Sequence, residues 1–90
     1  MENLDYPFEI GKNYLIRTVT FTHTGKITKI CGGFLVLETA CWIADTGHFS
    51  EAVKDSNVFS EVEPFLNPVI VGLGAIVDAT EIAILPTRVK

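Results

Sequence analysis

Cysteine is scarce in this chain of 90 residues, which has only Cys31 and Cys41. Two cysteines are too few for a disulfide framework. Each falls in or beside a hydrophobic run, so the expectation is two buried thiols in a reducing compartment. Neither belongs to a C-x-x-C pair, and His23 and His48 stand at no short zinc-ligand spacing. No metal site and no cofactor are therefore expected. Phosphate-cradling loops are missing too: there is no G-x-x-x-x-G-K-[ST] and no G-x-G-x-x-G, and Gly72-Leu73-Gly74 reads as a strand bend. The serines, Ser50, Ser56 and Ser60, lie in no nucleophile context. With no set of nucleophile, base and oxyanion donors, a catalytic role is not expected.

Long apolar runs are also absent. Nothing approaches the roughly 18–20 residues of a membrane-spanning helix. The acidic start, Met1-Glu2-Asn3-Leu4-Asp5-Tyr6-Pro7, has no apolar stretch of a signal peptide. A soluble, cytoplasmic protein is the expectation. Basic residues are few: seven Lys and Arg stand against eleven Asp and Glu, a formal net charge of −4. Nucleic-acid affinity rests mainly on Lys and Arg at phosphates, so a general RNA or DNA binder is not expected, although Arg17, Lys26 and Lys29 lie close together in the first half.

What is abundant is hydrophobic residues, 48% of the chain. A domain of this size buries a thin core and gains from assembly. The apolar excess predicts a homo-oligomer or another protein partner.

Strand signals run along most of the chain. Residues 1–13 read as a lead-in, punctuated by Pro7 and Gly11. Tyr14 to His23 reads as a first strand, with Thr18, Thr20 and Thr22 alternating with Val19, Phe21 and His23. His23-Thr24-Gly25-Lys26 has the composition of a hairpin turn. Lys26 to Cys31 follows as a second strand, Cys31-Gly32-Gly33 as a tight turn, and Phe34 to Ile43 as a third strand. Strict alternation would put Phe34, Val36, Glu38, Ala40 and Trp42 on one face of it. Asp45 or Thr46 can cap a short helix over Phe49 to Lys54. Residues 56–68 read as an irregular connection, Val69 to Leu73 as a fourth strand and Ala75 to Leu85 as a fifth. The expectation is a single all-β domain over 1–90, a small five-stranded, partly closed barrel. A helix-containing insertion, 44–68, separates its third and fourth strands.

The segment Trp42 to Phe49 joins the third strand to that insertion, where side chains are presented on a rigid scaffold yet stay accessible. Trp42, the single Trp, has two readings: a core ring, or a stacking platform for a base or another planar group. Gly47 lets a ligand approach the backbone, and Thr46, Gly47 and His48 open a helical turn whose amides suit an anion. Arg17 and Thr20 on the first strand complete the candidate set. Arg17 interrupts a Thr-rich apolar run, either as an exposed residue or as a fork for a carboxylate or phosphate. Asp78 interrupts another apolar run, and a carboxylate there needs a partner if buried. Asp45 and Asp78 can accept from hydroxyls or an exocyclic amine; an Arg17–Asp78 structural pair is the alternative.

Three resemblances attach to these residues. Thr24-Gly25-Lys26-Ile27, Gly33-Phe34-Leu35-Val36-Leu37-Glu38 and Val71-Gly72-Leu73-Gly74-Ala75-Ile76-Val77 resemble the second, third and closing strands of Sm-like and SH3-like small barrels. That resemblance implies ring assembly and RNA binding at a ring face, the latter set against an acidic charge balance. Ile16-Arg17-Thr18-Val19-Thr20, Thr24-Gly25, Trp42-Ile43-Ala44-Asp45-Thr46-Gly47 and Ala75-Ile76-Val77-Asp78-Ala79-Thr80 resemble a group of short uncharacterised bacterial and phage proteins. By analogy with other small phage proteins that sequester nucleotide signals of host defence, it suggests capture of a small anionic or nucleotide-like ligand. The alternative is an assembly module, such as a virion component or an inhibitor of a host protein. Asp45-Thr46-Gly47 resembles the motif of dimeric aspartic proteases, which need two aspartates brought together. The stretch between Gly47 and Val69 is too short for that family's flap and following strands, so Asp45-Thr46-Gly47 reads as a cap and turn.

Overall fold

The strongest β-forming run of the sequence, Phe34 to Ile43, does form the central strand of the protein. A computed structural model describes residues 7–45, 59 and 61–89. They build an all-β antiparallel sheet of six strands: β1 Asn13–Thr18, β2 Thr22–Cys31, β3 Phe34–Asp45, β4 Glu61–Pro64, β5 Val69–Gly72 and β6 Ile76–Glu81. A single 3₁₀ turn, Leu73–Ala75, joins β5 to β6. The order across the sheet is β4-β3-β2-β1-β6, and β5 pairs with the first half of β3. No ladder joins β6 to β4 or β5, so the sheet is not closed by hydrogen bonds into a barrel. No described helix is long and apolar enough to cross a membrane.

Several expected boundaries move. β1 stops at Thr18, because a turn closes there: the Thr18 N–H donates to the Phe21 carbonyl at 2.7 Å, and the Phe21 N–H donates to Thr18 Oγ1 at 3.0 Å. This Thr-backed turn takes the place of the hairpin expected at His23–Lys26. Gly25 instead lies inside an unbroken β2. The Cys31-Gly32-Gly33 turn forms as expected. Gly32 at φ 59° and Gly33 at φ 84° supply the two left-handed residues that a tight hairpin needs. A sixth strand, β4, falls within the stretch expected to be irregular, and β6 ends at Glu81 rather than at Leu85. The expected helix at 49–54 lies outside the described residues.

β3 does not keep one alternation along its length. Thr39 has φ 53°, a left-handed conformation unfavourable for a β-branched residue. Lys26 pairs with Glu38 but Thr24 pairs with Cys41, so β3 has one residue more than β2 there. Such a bulge reverses which side chains face which way. Leu35 and Leu37 point to one core, and past Thr39 that face passes to Ala40 and Trp42.

Two apolar clusters sit on opposite faces. Tyr14, Ile16, Ile27, Leu35, Leu37, Ala40 and Val71 form the first. Leu15, Cys41, Ile43, Phe59, Val62 and Ile82 form the second. β1 feeds both, since Tyr14, Leu15 and Ile16 are consecutive and all buried. The chain after β6 covers the second cluster. The Ile82 N–H donates to the Asn13 carbonyl at 3.0 Å, and the Cys41 thiol donates to the Pro86 carbonyl at 3.1 Å.

Candidate functional site

The antiparallel register sets Arg17 of β1 opposite Asp78 of β6. Opposed residues share a face and sit within side-chain reach. Arg17 Nε donates to Asp78 Oδ1 at 2.7 Å, and Arg17 Nη2 donates to Asp78 Oδ2. The two parallel bonds form the fork geometry that guanidinium and carboxylate prefer. Hydrogen bonding with Asp78, then its charge, raises the Arg17 pKa. The same hydrogen bonding from Arg17 holds the Asp78 carboxyl below its usual value. Both side chains remain about half exposed. Of the two readings of these residues, the structure realises the pair, and each charge is engaged by the other.

Beside this pair the β1–β2 turn borders an open groove of about 490 Å³, lined by Arg17, Thr18, Val19, Thr20, Phe21, Thr22 and Val77. Thr20 is exposed near the turn's tip. Arg17 and Thr20, two of the expected ligand residues, are thus brought to one groove.

Phe21 connects that groove to Trp42. Its ring meets the indole edge-on, with centroids 5.8 Å apart and planes at 80°. Edge-to-face contact suits the ring quadrupoles. His23 stands directly across from Trp42 on β2. It lies 6.2 Å from Phe21 and 5.9 Å from Phe65 between ring centroids. Phe65 is held just past β4, where its N–H donates to the Ala40 carbonyl at 2.9 Å. Phe21, Trp42, His23 and Phe65 therefore form one aromatic tract across three neighbouring segments of sheet. Phe21 is 50% exposed and Phe65 43% exposed, while Trp42 and His23 are half-buried. Partial burial lowers the His23 pKa, so the ring is neutral at physiological pH.

The register also defines what flanks the tract. Across β1, β2, β3 and β4 the row is Ile16, His23, Trp42 and Glu63. It runs from a buried aliphatic residue to an exposed carboxylate. Glu61, two residues before Glu63 on β4, shares its face.

The other expected site residues divide differently. Asp45 is the last residue of β3, its backbone paired with Glu61. Thr46, Gly47 and His48 lie outside the described residues. Among the described residues no three His, Cys, Asp or Glu side chains gather as a metal site. Cys41 is buried, and burial pushes its thiol pKa up. Cys31 is exposed at the β2–β3 turn, which corrects the expectation that both thiols are buried. Phe21, Glu63 and Phe65 were not among the expected site residues. Phe21 does share an alternation with His23, but its meeting with Trp42 depends on the β2–β3 register. Phe65 fell in a stretch read as irregular.

No protein-family model, curated protein or solved structure matches this chain.

Proposed function

We propose that this chain is a non-enzymatic interaction and assembly module, and that the aromatic tract seats a segment of another protein. The observation that carries this reading is the exposure of Phe21, which meets Trp42 edge-on, and of Phe65, with the His23 ring between the two. Exposed aromatics grouped on one surface are the composition of a recognition patch rather than of an ordinary solvated face. The tract is open and built on strands, which suits an extended partner segment better than an enclosed small molecule. Further exposed apolar residues, Phe34 and Ile70 on the β3–β5 pair, support homo-oligomer formation. The connection from β5 through the 3₁₀ turn to β6 supports an SH3-like or Sm-like barrel. In this reading the Leu73 N–H, which donates to the Gly33 carbonyl at 2.9 Å, draws the β5–β6 corner onto the β2–β3 turn.

A second reading is favoured by the groove at Arg17, Thr20 and Phe21: capture of a small planar anion, nucleotide-like, with its ring on Phe21 or Trp42. Arg17 would then have to share its guanidinium between Asp78 and the ligand. Sequestration of such a ligand would be the function, in the cytoplasm.

The deciding experiment is native mass spectrometry of the full chain purified from its producing cells, beside a Phe21→Ala/Phe65→Ala variant shown by circular dichroism to fold. A defined protein complex that the variant loses supports the assembly module. A small-molecule adduct released on denaturation supports capture instead. Identical spectra for both proteins sink the tract as a binding surface.

A further inference from the structure

The charge around the aromatic tract names the partner's chemistry. Trp42 has His23 on one side and Glu63 on the other, all on one face. Glu61 and Glu63 are exposed, and neither side chain is ion-paired or hydrogen-bonded to another described residue. His23 faces Trp42 from β2, and burial lowers its pKa, which disfavours a positive charge there. Arg17, in the groove beside Phe21, is matched by Asp78, so the charge at the border of the tract with no described counter-charge is that of Glu61 and Glu63, on a chain whose formal charge is −4.

Negative carboxylates beside exposed ring faces repel an anion and attract a cation. A cation over an aromatic face gains from the ring quadrupole, most strongly over Trp. A guanidinium also stacks flat on a ring while its N–H groups fork to a carboxylate, which a lysine ammonium does not do. We propose that the tract takes an arginine-bearing segment of a partner protein. Its guanidinium lies over Trp42 beside Phe21 and donates to Glu63, with Glu61 adding to the local field. Partner side chains flanking the arginine pack on the exposed Phe21 and Phe65. This inference rests on the interaction-module reading and specifies the partner that reading leaves open. It also separates that reading from anion capture, which calls for the opposite charge at the same rings.

The test uses the full chain and two synthetic nonapeptides, one with three arginines spaced by glycine and serine, the other with citrulline at the same positions. Citrulline keeps the shape and removes the charge. Trp42, the single tryptophan, reports binding by its fluorescence. The arginine peptide is expected to give a saturable change at a concentration about tenfold below its citrulline twin. Glu63→Gln is expected to weaken the arginine peptide by about tenfold. Glu38→Gln removes the same charge from the other face of β3 and is expected to leave affinity within about twofold, since exposed distant charges are screened. Equal affinity for the two peptides overturns the proposal. So does equal weakening by Glu63→Gln and Glu38→Gln, which would mean general attraction to an acidic protein. If the peptides fail to discriminate while the Phe21→Ala/Phe65→Ala variant still loses its native complex, the arginine assignment falls and the interaction module stands. If the variant loses nothing, both fall.

Discussion

Gly25 of β2 lies directly against Leu37 of β3. A Cβ on Gly25 would stand 2.9 Å from the Leu37 Cβ and 3.4 Å from the Ala40 Cβ. Real Cβ atoms do not approach that closely, and the Leu37 Cβ is fixed to its backbone. The two strands come together here because Thr39 bulges and turns β3 across β2. Gly25 is thus selected by packing inside a strand, not by the geometry of a turn.

Gly25→Ala should therefore destabilise the protein by about 1–3 kcal/mol, the usual cost of overpacking a filled core. Urea unfolding followed by Trp42 fluorescence measures it. An Ala variant as stable as the parent would show that the strands can separate without loss, and the close approach would not be a constraint.

The Arg17–Asp78 fork predicts coupling between two exposed residues. Arg17→Ala and Asp78→Ala should each lower the melting temperature slightly. The double variant should lose less than the sum, because the second change removes a partner already lost. The coupling should shrink at high salt. Its pH dependence follows from Asp78, whose folded pKa is lowered by Arg17. A carboxylate with a depressed folded pKa contributes stability above its unfolded value and loses it as pH falls through the folded one. The coupling should thus be intact at neutral pH and vanish only below the ordinary carboxylate range. Additive melting shifts at low salt and neutral pH would contradict the fork.

How much of this was legible from the residues alone depends on what sets each feature. The Gly32-Gly33 turn could be read because a local φ requirement selects those residues. The strand content was legible because β-branched and aromatic residues dominate it. The turn at Thr18–Phe21 was not, since Val19 and Thr20 look like strand and Gly25 looks like a turn; the choice was made by Thr18 hydrogen bonds and by the space above Gly25. The faces of β3 were out of reach for a sharper reason. One extra residue at Thr39 exchanges inside for outside, and nothing in Glu38-Thr39-Ala40 announces it. An Arg17–Asp78 pair could be posed from two charges interrupting apolar runs, but only register joins positions so far apart. Of the site, Trp42 was legible as a single large ring at a strand end. Phe21 and Glu63 were not, because each reaches Trp42 only across the sheet, and Phe65 joins the tract only through His23.

The two thiols should separate cleanly by reactivity. Cys31 is exposed, whereas Cys41 is buried, donates to the Pro86 carbonyl and has its pKa pushed up by burial. The thiolate is the reactive form, so both accessibility and ionisation protect Cys41. In the native protein one thiol per chain should react promptly with a disulfide reagent at neutral pH, and peptide mapping should place it at Cys31. Cys41 should react after denaturation. Prompt labelling of both would mean that the segment through Pro86 does not cover the second cluster.

The His23 ring lies half-buried between Phe21 and Phe65. Its Nδ1 is buried with no described hydrogen-bond partner, and burial lowers its pKa. Protonation would place a charge where little water can reach it, while in the unfolded chain the same ring is hydrated and titrates near 6.5. Above both values the ring is neutral in both states, and stability is independent of it. As pH falls below about 6.5, the unfolded chain binds a proton that the folded one resists, and stability must fall. The loss levels off only once the pH passes below the folded value. His23→Gln should flatten this part of the melting-temperature profile. Proton NMR of the His23 ring should show its midpoint below 6.5; a midpoint at or above that value would mean that the tract leaves the ring fully hydrated. The aromatic contacts are most secure at neutral pH, where His23 adds no charge.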